Sequence, residues 1–189
     1  MSEILIRRFE AELAPADGRT IVGRAVPFDV AAQVSDPPAY HPYRELYRMG
    51  AFRRSVRSPH RVLLNYEHRD GLGDVIGHAV ELTERADGLW CKFRALTGAA
   101  GDTALELIAA DALTGLSVGV VPDRRQTRTL EDGTVERSGV QLIHVALTGR
   151  PSFAEAQVAG IRSAARAAPS SPERVLDELE TLRASWADR

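Results

Sequence analysis

Three of the chain's four Asp-Gly pairs, Asp17-Gly18, Asp87-Gly88 and Asp132-Gly133, separate strand-like runs, and this punctuation directs the chain toward antiparallel strands. Asp-Gly favours tight turns whose twist matches that of paired strands. The strongest of the three signals is Asp132-Gly133, between two long strand-like segments at about 116–128 and 135–147. Residues 3–13 alternate apolar and polar side chains, and Thr20–Pro27, Arg61–Glu67, Val75–Thr83 and Gly88–Ala95 also read as strands. Two short helices fit the remaining patterns. One spans Gly50–Arg57 with Ala51, Phe52 and Val56 turned inward. The other covers 103–111, with Asp102 as its N-cap, Leu105, Leu107 and Ile108 inward, and Gly115 closing the element. Residues 27–44 hold Pro27, Pro37, Pro38 and Pro42 without periodicity and read as a long loop. The sum is an α+β fold, a mostly antiparallel β-barrel or strongly bent sheet with a few packed helices.

The 189 residues suit one domain with a short appendage. Residues 1–162 form the main domain. Residues 163–172, rich in Ala, Ser and Pro, read as a linker. Residues 173–189 read as an amphipathic helix with Val175, Leu179, Leu182 and Trp186 on one stripe. A net charge of −2 gives no global attraction to nucleic acid or membrane, so neither is an expected partner. One local exception is the cluster Arg53, Arg54, Arg57 and Arg61, which either meets an acidic partner or forms a solvated helix face. Cys91 is the lone cysteine, which excludes an internal disulfide; it alternates with Leu89 and Phe93 and reads as a core residue. Met1–Arg8 lacks the apolar stretch of a signal peptide, and no run approaches the ~20 apolar residues that span a bilayer. The expected compartment is intracellular, and no cofactor is expected.

Three polar residues interrupt or flank the apolar runs. His68 follows Val62-Leu63-Leu64-Asn65-Tyr66-Glu67, Ser117 lies in Gly115-Leu116-Ser117-Val118-Gly119, and His144 interrupts Val140–Leu147. A serine hydroxyl is a weak nucleophile at neutral pH. It needs a base within hydrogen-bond reach, and that base needs a third group to hold its tautomer. The glycines beside Ser117 would let a substrate backbone approach. Spacing alone leaves structural roles for all three residues equally open. A metal site from His68, Asp70, Asp74 and His78 fits no common ligand spacing, so no metal is expected.

Residues of about 20–160 resemble the prohead (capsid maturation) serine proteases of HK97-type tailed phages, distant relatives of the herpesvirus assemblins. Glu45-Leu46-Tyr47-Arg48-Met49-Gly50-Ala51-Phe52 is similar to the family's acidic residue followed by Gly-Ala-Phe. Leu64–Asp70 resembles its Asn-x-x-His-Asp segment, Val75-Ile76-Gly77 its Ile-Gly step, and Gly115–Gly119 its Gly-x-Ser-x-Gly segment. The segments occur in the family's order. The resemblance implies a herpesvirus-protease-like fold, with Ser117 as nucleophile and His68 as general base. His144 stands where the family often carries an acid, which gives a Ser-His-His triad; Glu67 or Asp70 would instead give a Ser-His-acid triad. The loop Thr148-Gly149-Arg150-Pro151 is a candidate source of oxyanion donors.

The implied activity is a serine endopeptidase that cleaves scaffold or major capsid protein, and itself, during prohead maturation. It would be encoded by a tailed phage, a prophage or a gene-transfer particle. It would work in the cytoplasm of the bacterial host, inside the immature capsid. Dimerisation of the herpesvirus relatives raises a homodimer for this chain too. The rival readings are a catalytically inactive capsid- or scaffold-binding domain of the same fold, and a metal-dependent hydrolase using His68 and His78.

Overall fold

The structure is a computed structural model that describes residues 5–10, 14–15, 18–36 and 41–149. Among them, twelve strands form an eight-stranded and a four-stranded sheet. In chain order the strands are β1 (Leu5–Glu10), β2 (Ala14–Pro15), β3 (Thr20–Pro27), β4 (Ala32–Ser35), β5 (Pro42–Tyr47), β6 (Leu63–Tyr66), β7 (Val75–Arg85), β8 (Gly88–Ala95), β9 (Gly115–Pro122), β10 (Thr127–Thr129), β11 (Val135–Arg137) and β12 (Val140–Thr148). The α-helices are α1 (Arg53–Val56) and α2 (Ala99–Ala109). The large sheet runs β1-β9-β12-β6-β7-β8-β3-β2 and the small one β10-β11-β5-β4. Pairing is antiparallel throughout except for β12–β6 and β11–β5. The large sheet curls into a half-barrel that brings β3 across toward β1 and β9.

Alternation fixes which side of each strand is inside. Leu89, Cys91 and Phe93 of β8 are buried in the core, together with Leu116, Val118 and Val120 of β9 and Val145 and Leu147 of β12. Ser117, Gly119 and Val121 therefore share the other face of β9. Burial also pushes the Cys91 thiol far above its ordinary pKa, which makes it an inert core residue. Asp87-Gly88 closes the β7–β8 hairpin as the sequence implies, with Arg85 opposite Gly88.

Four sequence expectations change. The stretch 27–44 is not one loop: it contains β4 and the start of β5, which pair with each other. β4 is the edge of the small sheet and β5 carries buried charge such as Glu45, so neither shows the apolar alternation that marks buried strands. The long segments 116–128 and 135–147 are each broken. Pro122 ends β9 before β10 joins the small sheet, and Gly139 separates β11 from β12. The Asp132-Gly133 turn accordingly links β10 to β11. Helix α2 begins four residues before the expected start, after Gly98 in a positive-φ conformation, and Asp102 lies within its first turn, where it pairs with Arg19 at 2.7 Å. Its end is set by Asp111 rather than by Gly115. Asp111 takes a left-handed conformation, its N–H donates to the Ile108 carbonyl, and the Ala112 N–H donates to the Leu107 carbonyl. The expected linker 163–172 and terminal helix 173–189 lie outside the described residues.

Phe52, just before α1, joins the two sheets. It is fully buried and packs against Tyr47 of β5 and against Phe28, with ring centroids 5.4 and 6.3 Å away. Phe52→Ala should lower stability by about 3–5 kcal/mol through the cavity it leaves, read as a fall in the urea midpoint. Leu63→Ala, at a 44% exposed position, should move it little.

Candidate active site

Ser117, His68 and His144 come from three adjacent strands, or their ends, and meet on the face of the sheet turned away from the core. Ser117 is on β9, opposite Ala146 of β12, and His144 is opposite Gly119. Ser117 and His144 are therefore diagonal neighbours on one face. A β-bulge between Leu142 and His144 makes this possible. Leu142 pairs with Val120 and faces the core; without an extra residue, Ile143 would take the place opposite Gly119 and His144 would turn inward.

His68 arrives from the neighbouring strand. β6 runs parallel to β12 and ends with Tyr66 beside Leu147. The chain then turns back through Glu67 and His68, both with positive φ (47° and 60°), and the Arg69 N–H donates to the Tyr66 carbonyl at 2.9 Å. This is the backbone of a type I′ turn, made here without glycine or asparagine. Neither residue favours that conformation, so surrounding contacts must hold it. Those contacts converge on Glu67. Its N–H donates to the Leu147 carbonyl at 3.0 Å, and its Oε1 accepts from Thr148 Oγ1 at 2.8 Å and from the Gly149 N–H at 3.1 Å. The turn carrying one imidazole is thus tied to the end of the strand carrying the other.

The three side chains form a continuous hydrogen-bonded chain. His68 Nε2 lies 2.5 Å from Ser117 Oγ, and His68 Nδ1 lies 2.7 Å from His144 Nε2. The imidazole rings meet edge to face, at 62° with centroids 5.0 Å apart. With Ser117 giving its proton, the network assigns the tautomers: the hydroxyl donates to Nε2 of His68, and the Nδ1–H of His68 donates to Nε2 of His144. Ser117 is fully buried, and both rings are half-buried. Burial pushes the pKa of His144 below its ordinary value, and the negative charge of Asp70 partly offsets this. The neutral form that His144 needs to accept a proton is thereby favoured. The arrangement can withdraw the hydroxyl proton and hold the resulting imidazolium in place.

Gly119 has a role that its spacing did not reveal. A Cβ there would stand 2.4 Å from His144 Cε1 and 2.6 Å from Nε2. The missing side chain makes room for the imidazole, whereas the sequence suggested room for a substrate. Glu67 was legible only as an alternative acid, and its carboxylate instead holds Thr148 and Gly149. The Gly149 N–H, one candidate oxyanion donor, is engaged by Glu67; Arg150 and Pro151 lie outside the described residues. Asp70 acts on His144 only through its charge. His78 lies on β7 opposite Leu63 and Arg94. Among the described residues no three His, Cys, Asp or Glu side chains converge to hold a metal, and both ring nitrogens of His68 are already engaged. No helix among them is long and apolar enough to cross a membrane.

Comparison with known proteins agrees with the fold. The capsid assembly protease of bacteriophage T4, gp21, is similar in structure, with a TM-score of 0.53 and 13% identity over 77% of this chain and 96% of that one. At that identity the likeness concerns the fold alone. No curated protein matches the chain. The family model described as caudovirus prohead serine protease matches residues 7–170, most of the sequence. The chain belongs to the caudovirus prohead serine protease family.

Proposed function

We propose that this protein is the endopeptidase of prohead maturation, with Ser117 as nucleophile, His68 as general base and His144 as the group that fixes His68. The observation that carries the reading is the unbroken chain from Ser117 Oγ through both nitrogens of His68 to His144 Nε2. Ser117 attacks the scissile carbonyl as its proton passes to His68 Nε2. The tetrahedral intermediate collapses to an acyl-enzyme, and the leaving amine takes the proton. Water then repeats the cycle with His68 again as base. The substrates are the scaffold or the N-terminal segment of the major capsid protein inside the immature shell, and the enzyme's own chain. A second imidazole in the third position orients His68 without supplying a full negative charge, so the step is slower than with a buried carboxylate.

Three outcomes test this. Ser117→Ala should abolish shortening of a co-expressed capsid protein, by ~10³-fold or more, with unchanged thermal stability; intact-mass analysis of the capsid protein reads it. Continued shortening would remove Ser117 from the mechanism.

Glu67 separates the two possible triads. As an anchor of the turn it needs only an oxygen acceptor. Glu67→Gln should therefore keep activity within about threefold, and Glu67→Ala should lower kcat by at least ~10-fold as the His68 turn relaxes. Were Glu67 the triad acid, the glutamine variant would fail as badly as the alanine one.

The pH dependence follows from His144. Its folded-state pKa lies below the ordinary imidazole value, so the folded protein resists protonation there while the unfolded chain does not. The contribution to stability is complete above the unfolded pKa of ~6.5 and is lost as pH falls through the folded value. Activity should fall over the same acid range, because a protonated His144 cannot accept from His68. Asp70→Asn removes the charge that raises this pKa, so the imidazole titration followed by NMR should move to still lower pH.

A further inference from the structure

We propose that the depression beside α1 is a docking site for an acidic, extended peptide segment, and that it continues the track that passes Ser117. The inference rests on the peptidase reading for its biological setting, but the site can be tested without catalysis.

The depression has a volume of about 500 Å³ and is walled by Arg53, Arg54 and Arg57 on one side and by Val121, Asp123 and Gln141 on the other. All three arginines are exposed, and among the described residues none has a carboxylate within ion-pair distance. This contrasts with Arg48, Arg128 and Arg137, each 2.6–2.7 Å from a glutamate oxygen in the small sheet. Asp123 is the one acid on the wall, and its oxygens already accept from the Arg125 N–H and Gln126 Nε2. Three guanidiniums facing one cavity, with a single acid that is itself engaged, leave a local surplus of positive charge on a chain whose net charge is −2.

The position of the cavity identifies the occupant. Val121 and Gln141 are opposite each other on β9 and β12. By strand alternation Val121 lies on the same face as Gly119 and Ser117. Four residues of strand separate Val121 from Ser117, about 13 Å at ~3.3 Å per residue. The His144 ring fills the space over Gly119 between them, so a chain with its scissile bond at Ser117 passes beside that ring and places side chains four or more positions away among the arginines. Guanidiniums pair with carboxylates in a planar, two-pronged geometry. Acidic side chains of a peptide match that geometry and that spacing, and the acid of Asp123 on the wall opposes a continuous phosphate backbone.

The test uses the full chain carrying Ser117→Ala, so that binding is read without turnover. A fluorescent decapeptide with four glutamates, the same peptide with four glutamines, and a single-stranded oligothymidylate of equal charge are compared by anisotropy at low salt. The glutamate peptide should bind and the glutamine peptide should not. Arg53→Gln, Arg54→Gln and Arg57→Gln together should weaken binding by at least about tenfold, with circular dichroism unchanged. Asp123→Asn, which keeps one oxygen to accept from the Arg125 N–H, should tighten it. In the otherwise wild-type enzyme, cleavage of a mixed peptide library should be enriched for Asp and Glu four or more positions from the cut, and the triple variant should lose that enrichment through KM rather than kcat.

Equal affinity for both peptides, or an unchanged affinity in the triple variant, overturns the proposal. Tighter binding of oligothymidylate than of the glutamate peptide replaces it with a nucleic-acid site. Failure of the peptidase reading would appear separately, as cleavage that survives Ser117→Ala.

Discussion

The register between β9 and β12 is the constraint on which the site depends. Two of the β9 residues that face outward, Ser117 and Gly119, form the site. Ser117 supplies the hydroxyl, and Gly119 supplies the empty space in which the His144 ring lies. A slip of one residue would turn Ser117 into the core and present Leu116 or Val118 to solvent. The core therefore enforces the register with the whole burial energy of Leu116, Val118 and Val120 against Val145 and Leu147. The bulge at Ile143 then corrects one strand against the other, so that a histidine in an apolar run faces outward while the residues around it stay inside. Packing energy and site geometry are fixed by the same strand pair.

That pair sets two of the three side chains, and the third is held by a local device. The Glu67-His68 turn occupies a conformation that glycine or asparagine would adopt with less strain. A histidine is needed at the second position for its ring, so the relief offered by a small residue is not available there. Three hydrogen bonds compensate by attaching the turn to the end of β12: Glu67 donates its N–H to Leu147 and accepts from Thr148 and Gly149. Both imidazoles consequently move with one strand, which keeps a 2.7 Å contact between two neutral rings in place. A carboxylate in the third position would attract the forming imidazolium over a longer range; a neutral imidazole relies more on being in the right position. The anchoring of the turn matters more here for that reason.

The sequence was most informative where a residue's neighbours along the chain decide its structure. Thr20–Pro27 and Gly88–Ala95 are strands with the bounds their alternation implies, and Asp87-Gly88 closes a hairpin. Ser117, His68 and His144 were visible as polar residues where apolar ones would otherwise be. What was hidden depends on partners distant in sequence. β4 and β5 are strands because they pair with each other and with β11, and their buried charges, such as Glu45 held at 2.7 Å by Arg137, obscure any apolar period. The start of α2 depends on Gly98 taking a positive φ, which composition does not show. The bulge at Ile143 leaves no trace in hydropathy, since Leu142, Ile143 and Val145 are all apolar. Glu67 looked like a possible acid because it adjoins His68 in sequence, yet adjacency on a tight turn points the two side chains to different partners.

Charge is distributed by the same logic. The small sheet brings Arg48, Arg128 and Arg137 together with Glu45 and Glu136, two glutamates that are nearly inaccessible. The Arg128 and Arg48 guanidiniums hold the Glu136 carboxyl below its usual range, so it stays ionised and committed to its partners. Acids used in this way cannot neutralise α1, whose arginines are exposed only a short distance along the chain from Arg48. A chain close to neutral overall can thus carry a concentrated positive region without altering its net charge. Burying carboxylates against arginines in one sheet, while Arg53, Arg54 and Arg57 have no carboxylate within ion-pair distance among the described residues, concentrates positive charge at the depression beside α1. An acidic segment approaching the molecule meets its strongest attraction there rather than across the surface as a whole.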